Sequence, residues 1–263
     1  MMNLKLCPLK SSSKGNATVV YNANTKILVD CGISGKILED CLERAGIAAS
    51  ELDAIVITHE HSDHTKGVGV ISRKYKLPVY ANIGTWKGMR AAVGKIDEGN
   101  IRIFETGESF YINDIEIKSF STPHDAAESV GYVFRCGAES VAIATDMGKI
   151  SKSVLNIIKG CNTVLLEANY DPLMLDAGRY PYELKRRIRS DIGHLCNDDS
   201  GELARALAES GTREIILGHL SEENNFPQIA LATVKAALCG MDVCLSVALA
   251  DGNILKCENL NMI

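Results

Sequence analysis

The chain has 263 residues, 46% hydrophobic and 23% charged, which excludes a disordered chain and is enough for a large core. Aromatics at 5% argue against a stacking platform for single strands, and a net charge of −5 argues against a basic nucleic-acid coat. The length fits a single domain over residues 1–263, and a local basic groove stays open.

The opening alternates short apolar runs with turns: Leu4–Leu9, Ala17–Asn22 and Thr25–Gly32, with Tyr21-Asn22-Ala23-Asn24 as a hairpin signal. Residues 35–46 place Ile37, Leu38, Cys41 and Leu42 at helical spacing, with Gly46 as the stop. A buried strand is expected at Ala54–Thr58, then a polar loop His59–His64 and a helix over residues 66–75. The middle is strand-rich (101–104, 109–113, 115–120, 130–135, 141–145), with helices near 83–92 and 151–159. The last third returns to α/β alternation. A strand at 162–166 precedes a basic helix near 182–190, and Asn197 or Asp199 caps a helix to Glu209. A further strand at 214–217 leads to a helix near 227–239. Two sheets between outer helices fit this order.

Nine cysteines without a Cys-x-x-Cys pair read as reduced, buried small hydrophobes and not as a zinc finger. The first residues carry no signal-peptide pattern, and no apolar run reaches the roughly 18 residues of a membrane helix. A cytoplasmic protein without a membrane partner is the expectation; the oligomeric state is not legible.

The six histidines carry the functional signal: His59, His61, His64, His124, His194 and His219. A lone histidine in a polar loop is usually a surface residue. Three histidines and Asp63 within the six residues His59–His64 are different, because solvent exposure gives no reason to cluster them. Metal coordination does, since imidazole and carboxylate suit Zn²⁺, Mn²⁺ or Fe²⁺. The spacing is not that of a helical His-Glu-x-x-His site, because the residue four after His59 is Asp63. His124, Asp146 and His219 each follow a strand, so one sheet rim can gather them, although an Asp after a strand is more often a turn residue.

Taken in order, Asp30, His59-x-His61-x-Asp63-His64, His124, Asp146 and His219 resemble the metallo-β-lactamase superfamily over nearly the whole chain. The resemblance implies an α+β fold, the four-layer αβ/βα sandwich of two mixed sheets. It implies two divalent metal ions: one on His59, His61 and His124, the other on Asp63, His64 and His219. Asp146 would bridge them and Asp30 would orient the ligand loop from behind. The segments around Glu167, residues 180–199 and His219 are similar to the YycJ/WalJ-type exonuclease branch and to tRNase Z-type nucleases, which disfavours antibiotic hydrolysis. Glu167 and His194 match a proton-transfer dyad in those enzymes and join Asp63 as the candidate catalytic residues. The branch usually has a histidine where this chain has Tyr170, and its Ser-Gly-Ser-Ser-Gly-Asn loop is Ser11-Ser12-Ser13-Lys14-Gly15-Asn16 here.

The implied chemistry is phosphodiester hydrolysis by a hydroxide bridging two metals about 3.5–4 Å apart, with His194 as general acid. Ser13 and Asn16 are candidates to seat a terminal phosphate, and Arg186 and Arg187 of the 185–189 basic run to meet the neighbouring backbone of a DNA substrate. A charge run is more often a solvated helix face, and that remains the better reading for Lys185. Two alternatives stay open: a hydrolase of a small phosphodiester, lactone or thioester, and a catalytically silent metal-binding regulator.

Overall fold

The computed structural model describes residues 4–257. At the N-terminal end, β1 (Lys5–Lys10), β2 (Ala17–Tyr21) and β3 (Lys26–Val29) form an antiparallel meander. The β2–β3 turn closes on Asn22, whose Oδ1 accepts from the backbone N–H groups of Asn24 (2.8 Å) and Thr25 (2.9 Å). An asparagine side chain standing in for a backbone carbonyl is what the hairpin signal encodes.

From β3 the sheet turns parallel through β4 (Ala54–Val56), β5 (Val79–Ala81) and β6 (Ile101–Ile103), in the order β1-β2-β3-β4-β5-β6. Parallel neighbours require crossovers. These include α1 (Gly35–Arg44), the short α2 (Ser62–Thr65), α3 (Val68–Tyr75) and α4 (Ile83–Val93). Helix α1 starts on the Ser34 side chain and ends just before Gly46, whose φ of +73° is the left-handed stop that glycine reaches without a Cβ clash. Leu38, Cys41 and Leu42 of α1 are buried as expected, whereas Ile37 is exposed.

The second sheet has eight strands. β7 (Ser109–Ile112), β8 (Ile115–Ser121), β9 (Val130–Cys136) and β10 (Glu139–Ala144) form a meander. β10 then lies parallel to β11 (Thr163–Glu167), β12 (Glu214–Gly218) and β13 (Cys244–Ala248), and β14 (Ile254–Lys256) closes the edge. Helices α5 (Lys152–Ile158), α6 (Pro172–Ala177), α7 (Tyr182–Ile188), α8 (Asn197–Glu209) and α9 (Pro227–Ala237) connect the parallel strands.

Strand alternation sorts the side chains into layers. Ala54 and Val56 of β4 face the core between the sheets, and Ile55 between them faces the helices. In β11, Leu165 faces the same central core, while Val164 and Leu166 pack under the helices of the other side. Two mixed sheets with helices on their outer faces make the αβ/βα sandwich. Among the described residues no helix is long and apolar enough to cross a membrane.

The structure corrects several local expectations. The second half of the His59–His64 segment is not loop but helix α2, with His61 at its N-cap. Helix α8 is capped by Cys196, whose Sγ accepts from the Asp199 N–H, and neither by Asn197 nor by Asp199. Cys239 and Cys244 are exposed, against the expectation that every thiol is buried; no disulfide forms among the described residues. The sequence reading did not place β5, α6, β13 or β14: three are very short, and β13 is an apolar run without distinctive period.

Candidate active site

The site forms where strands of both sheets deliver their C-terminal ends to one rim. Asp30 follows β3, the His59–His64 segment follows β4, His124 follows β8, Asp146 follows β10, Glu167 ends β11 and His219 follows β12. Three of these residues hold left-handed backbone: Asp30 (φ 59°), Asp146 (φ 58°) and His219 (φ 57°). For a non-glycine residue that conformation costs on the order of 1–2 kcal/mol. It turns each chain sharply as it leaves its strand.

The histidines are fixed by their Nδ1 atoms. Asp30 accepts from the Thr58 N–H (2.9 Å) and from the Thr58 hydroxyl (2.9 Å), and its Oδ2 also receives His64 Nδ1 (2.8 Å). With its proton given to Asp30, the Thr58 hydroxyl accepts from His59 Nδ1 at 3.0 Å. His124 Nδ1 donates to the Gly193 carbonyl (3.0 Å), and His219 Nδ1 donates to Glu167 Oε1 (2.9 Å). With the Nδ1 atoms of His59, His64, His124 and His219 bonded into the protein, their Nε2 atoms turn into one shared space. That is the orientation a metal ligand requires.

The buried atoms facing this space test the fit. Nε2 of His59, His124 and His219 and Oδ2 of Asp146 are buried without a hydrogen-bond partner. Such orphans are rare, because each costs about 1–3 kcal/mol unless something binds it. Ligand atoms of His59, His61 and His124 lie within 4.8 Å of one another; so do those of Asp63, His64 and His219, and those of His59, His64 and Asp146. Asp146 Oδ1 stands 3.7 Å from His124 Nε2 and 3.6 Å from His219 Nε2, between the first two groups. These overlapping clusters are suited to holding metal ions.

Charge in the site is strongly paired. Burial alone would lower the pKa of His219, but Asp146, Asp63 and Glu167 outweigh it and push the imidazole up to about 10. His64 is raised in the same way, against burial, by Asp146, Asp30 and Asp63. Burial holds His59 and His124 low. Asp63 and Asp146 resist the upward push of burial and are held below the usual carboxylate range by the surrounding histidines. A field that holds protons this firmly also attracts a divalent cation.

Glu167 is fully buried and accepts four donors: the Met147 N–H (2.8 Å), the Leu195 N–H (3.3 Å), His219 Nδ1 and His194 Nδ1 (2.7 Å). Burial would raise its pKa; His194 and His219 reverse that and keep it ionised. His194 lies just ahead of Cys196, with its side chain 20% exposed at the mouth. Its Nδ1 is committed to Glu167, so Nε2 is the atom available to an incoming molecule.

The substrate candidates are placed unevenly. Ser13 is exposed on the β1–β2 loop. Asn16 is buried, its Nδ2 against His64 Nε2 (3.2 Å) and Asp63 Oδ2 (3.5 Å), so it borders the Asp63–His64 group and not open solvent. The basic run goes to three different acids: Arg186 to Glu183 (2.8 Å), Arg187 to Asp125, and Arg189 to Asp176 (2.6 Å). Lys185 donates to the Asp176 carbonyl (2.7 Å). Tyr170 is buried and bridges to Cys196 beside α6.

Besides Thr58, sequence reasoning missed three supports. The Ser11 hydroxyl accepts the His219 N–H (2.8 Å), Asn169 Nδ2 donates to the His219 carbonyl (2.8 Å), and Asp125 ties Arg187 beside His124. Asn169 lies two residues past the end of β11, beyond the reach of its strand period, and Ser11 carried no signal.

A family model, the beta-lactamase superfamily domain, matches residues 25–220. The chain belongs to the metallo-β-lactamase superfamily. Within it, the chain is 42% identical to exodeoxyribonuclease YycJ of Bacillus anthracis over 237 residues, covering 90% of each protein. It is 40% identical to exodeoxyribonuclease WalJ of Streptococcus pneumoniae D39 over 248 residues, covering 94% of this chain and 92% of the relative. Among solved structures, the metallo-β-lactamase fold protein YhfI of Bacillus subtilis superposes with a TM-score of 0.73 at 15% identity, covering 96% of this chain and 99% of that one. The short form of human tRNase Z gives a TM-score of 0.59 at 17% identity, covering 82% and 93%. These two likenesses show the superfamily fold.

Proposed function

We propose that this protein is a metal-dependent phosphodiesterase that acts as an exonuclease on DNA. The observation that carries this reading is Glu167 Oε1, shared by His194 (2.7 Å) and His219 (2.9 Å). It joins a residue facing the metal space to one facing the mouth. Resemblance to exodeoxyribonucleases over nine-tenths of the chain supports the substrate class.

His59, His61 and His124 would hold one divalent ion and Asp63, His64 and His219 a second, with Asp146 between them. Bound there, such ions supply Lewis acidity toward a phosphodiester and acidify a water. Zn²⁺, Mn²⁺ and Fe²⁺ all suit the donor set. Asp30 and Thr58 keep His64 and His59 turned inward. His194 delivers a proton from Nε2 to the leaving 3′-oxygen, and Glu167 stabilises the imidazolium from the Nδ1 side. Ser13 offers a hydroxyl to a terminal phosphate, and Asn16 acts through Asp63 and His64. Arg186 and Arg187 meet the flanking phosphates. The domain spans residues 1–263, and the enzyme is cytoplasmic.

The deciding experiment is metal analysis of the purified protein together with cleavage assays on 5′-phosphorylated and unphosphorylated duplexes. Release of nucleotides that depends on added metal is the expected result. Hydrolysis of small phosphodiesters, lactones or thioesters with no cleavage of nucleic acid under any of the three metals would overturn the assignment.

A further inference from the structure

The basic run on α7 is not the main unpaired positive surface. Lys76, Lys87, Arg90 and Lys95 have no acidic partner among the described residues, in a chain whose net charge is −5. All four line a pair of adjoining depressions that share Lys95. One, of about 420 Å³, runs between α4 and β6, with an apolar floor that includes Ile83, Trp86, Ile101 and Ile103 and a rim of Lys87 and Arg90. The other, of about 630 Å³, continues past Lys95 to Arg73 and Lys76. Five cations stand there against two carboxylates, Asp97 and Glu98.

Topology fixes where this groove begins. β4, β5 and β6 are parallel, so the start of α4 at Ile83 and the end of β6 at Ile103 lie at the rim that carries the His59–His64 segment. Both isoleucines are exposed, at 48% and 58%. The opposite face of α4 touches the site directly. A Cβ at Gly88 would stand 2.5 Å from Glu60 Cγ, and one at Gly84 would stand 2.5 Å from Glu128 Cβ. Glu60 lies between His59 and His61, and its Oε1 accepts the Ala127 N–H (2.8 Å). From that rim the groove follows α4 for roughly 16 Å, at about 1.5 Å per residue.

We propose that the α4–β6 groove is a second binding site, which takes the single strand of DNA extending beyond the catalytic centre. The proposal rests on the nuclease reading above. A single strand presents bases on one side and phosphates on the other; this groove offers the exposed Ile83 and Ile103 to the bases and a cationic rim to the phosphates, with Trp86 buried beneath and not a stacking surface. An acidic polypeptide would use the rim, but it gives no reason for the groove to begin at the catalytic rim.

The chain supplies its own reporter. Trp86 is the sole tryptophan, lines the groove, and donates from Nε1 to the Arg102 carbonyl (3.0 Å). The metal-loaded protein is titrated with a phosphorothioate-linked oligothymidylate, which resists cleavage, and Trp86 fluorescence is followed. A saturable change is expected, with a midpoint that rises steeply with salt. The double variant Lys87→Glu/Arg90→Glu should weaken that binding by about tenfold or more at low salt, consistent with lost phosphate contacts, and should keep the wild-type melting temperature. Trp86→Phe should abolish the signal while the oligonucleotide still binds by anisotropy. Unchanged affinity in the folded double variant overturns the proposal. So does a stronger Trp86 response to polyglutamate than to the oligonucleotide, which would make the groove a peptide site. Binding at Trp86 without any nuclease activity would sink the exonuclease reading and leave the groove standing.

Discussion

At the scale of single residues, five of the site's histidines have Nδ1 held by a neighbour: His59, His64, His124, His194 and His219. His194 differs from the rest, because its Nδ1 is held by Glu167 while its side chain reaches the mouth. On the proposed mechanism, replacing it with alanine removes a proton donor and no buried ligand. His194→Ala is therefore expected to keep the wild-type metal content and melting temperature while turnover falls by roughly 10²–10⁴. Loss of metal from this variant, measured by elemental analysis, would make His194 a ligand. The His59–His64 cluster was legible in the sequence because histidines this dense have no use on a surface. Thr58, Ser11 and Asn169 were not, since hydroxyl and amide residues are common and theirs act across long stretches of chain. Asp146 read alone as a turn residue, and it is one: its left-handed backbone and its place between the ligand groups are the same fact.

At the scale of elements, the strand-to-helix loops must interlock for the residues to meet. Gly32 shows how tightly. A Cβ there would stand 1.5 Å from the Asp63 carbonyl oxygen and 2.9 Å from the Asn16 backbone N. The Asn16 N–H donates to that same carbonyl (2.8 Å), so the loop after β3, the β1–β2 loop and helix α2 form one unit. Gly32→Ala should displace Asp63 and His64, lowering metal content and costing about 1–3 kcal/mol in denaturant unfolding. Wild-type metal content in this variant would show that the loops yield independently. Helix α7 makes a separate prediction. Arg186 is exposed and held only by Glu183 of its own helix, whereas Arg187 is tied across to Asp125. Arg186→Glu should raise KM for DNA at low salt, and the deficit should shrink as salt rises, because screening removes the attraction that was reversed. A deficit independent of salt would make the residue structural. The long alternating strands were legible, because period two survives without tertiary information. The three-residue strands β5 and β14 were not; the equally short β4 and β6 were found only because longer apolar runs, residues 54–58 and 101–104, surround them.

At the scale of the whole molecule, the ligand groups draw on both sheets: His59, His61, Asp63 and His64 follow a strand of the first, and His124, Asp146 and His219 follow strands of the second. Ions held there would pin the two sheets together at the rim, so loaded and stripped protein should differ in stability. The groups His59–His61–His124 and Asp63–His64–His219 share no residue, and close to two transition-metal ions per chain are expected. A folded protein that binds only one under metal excess would overturn the paired site. The pH dependence follows from His219. In the absence of metal its pKa stands at about 10, above the ordinary value of about 6.5, so its protonated form stabilises the fold. That contribution is complete below pH about 6.5 and is lost as pH rises through about 10. His64, raised by the same carboxylates, acts in the same sense. His59 and His124, lowered by burial, oppose folding only below pH about 6.5, outside this window. A metal ion held by His219 would replace that proton and bind more tightly as pH rises. The melting temperature of stripped protein should therefore fall between pH about 6.5 and 10, and the gap to loaded protein should widen over the same range. Calorimetry of both forms at matched pH measures that gap; one that stays constant or narrows would mean His219 does not exchange a proton for metal.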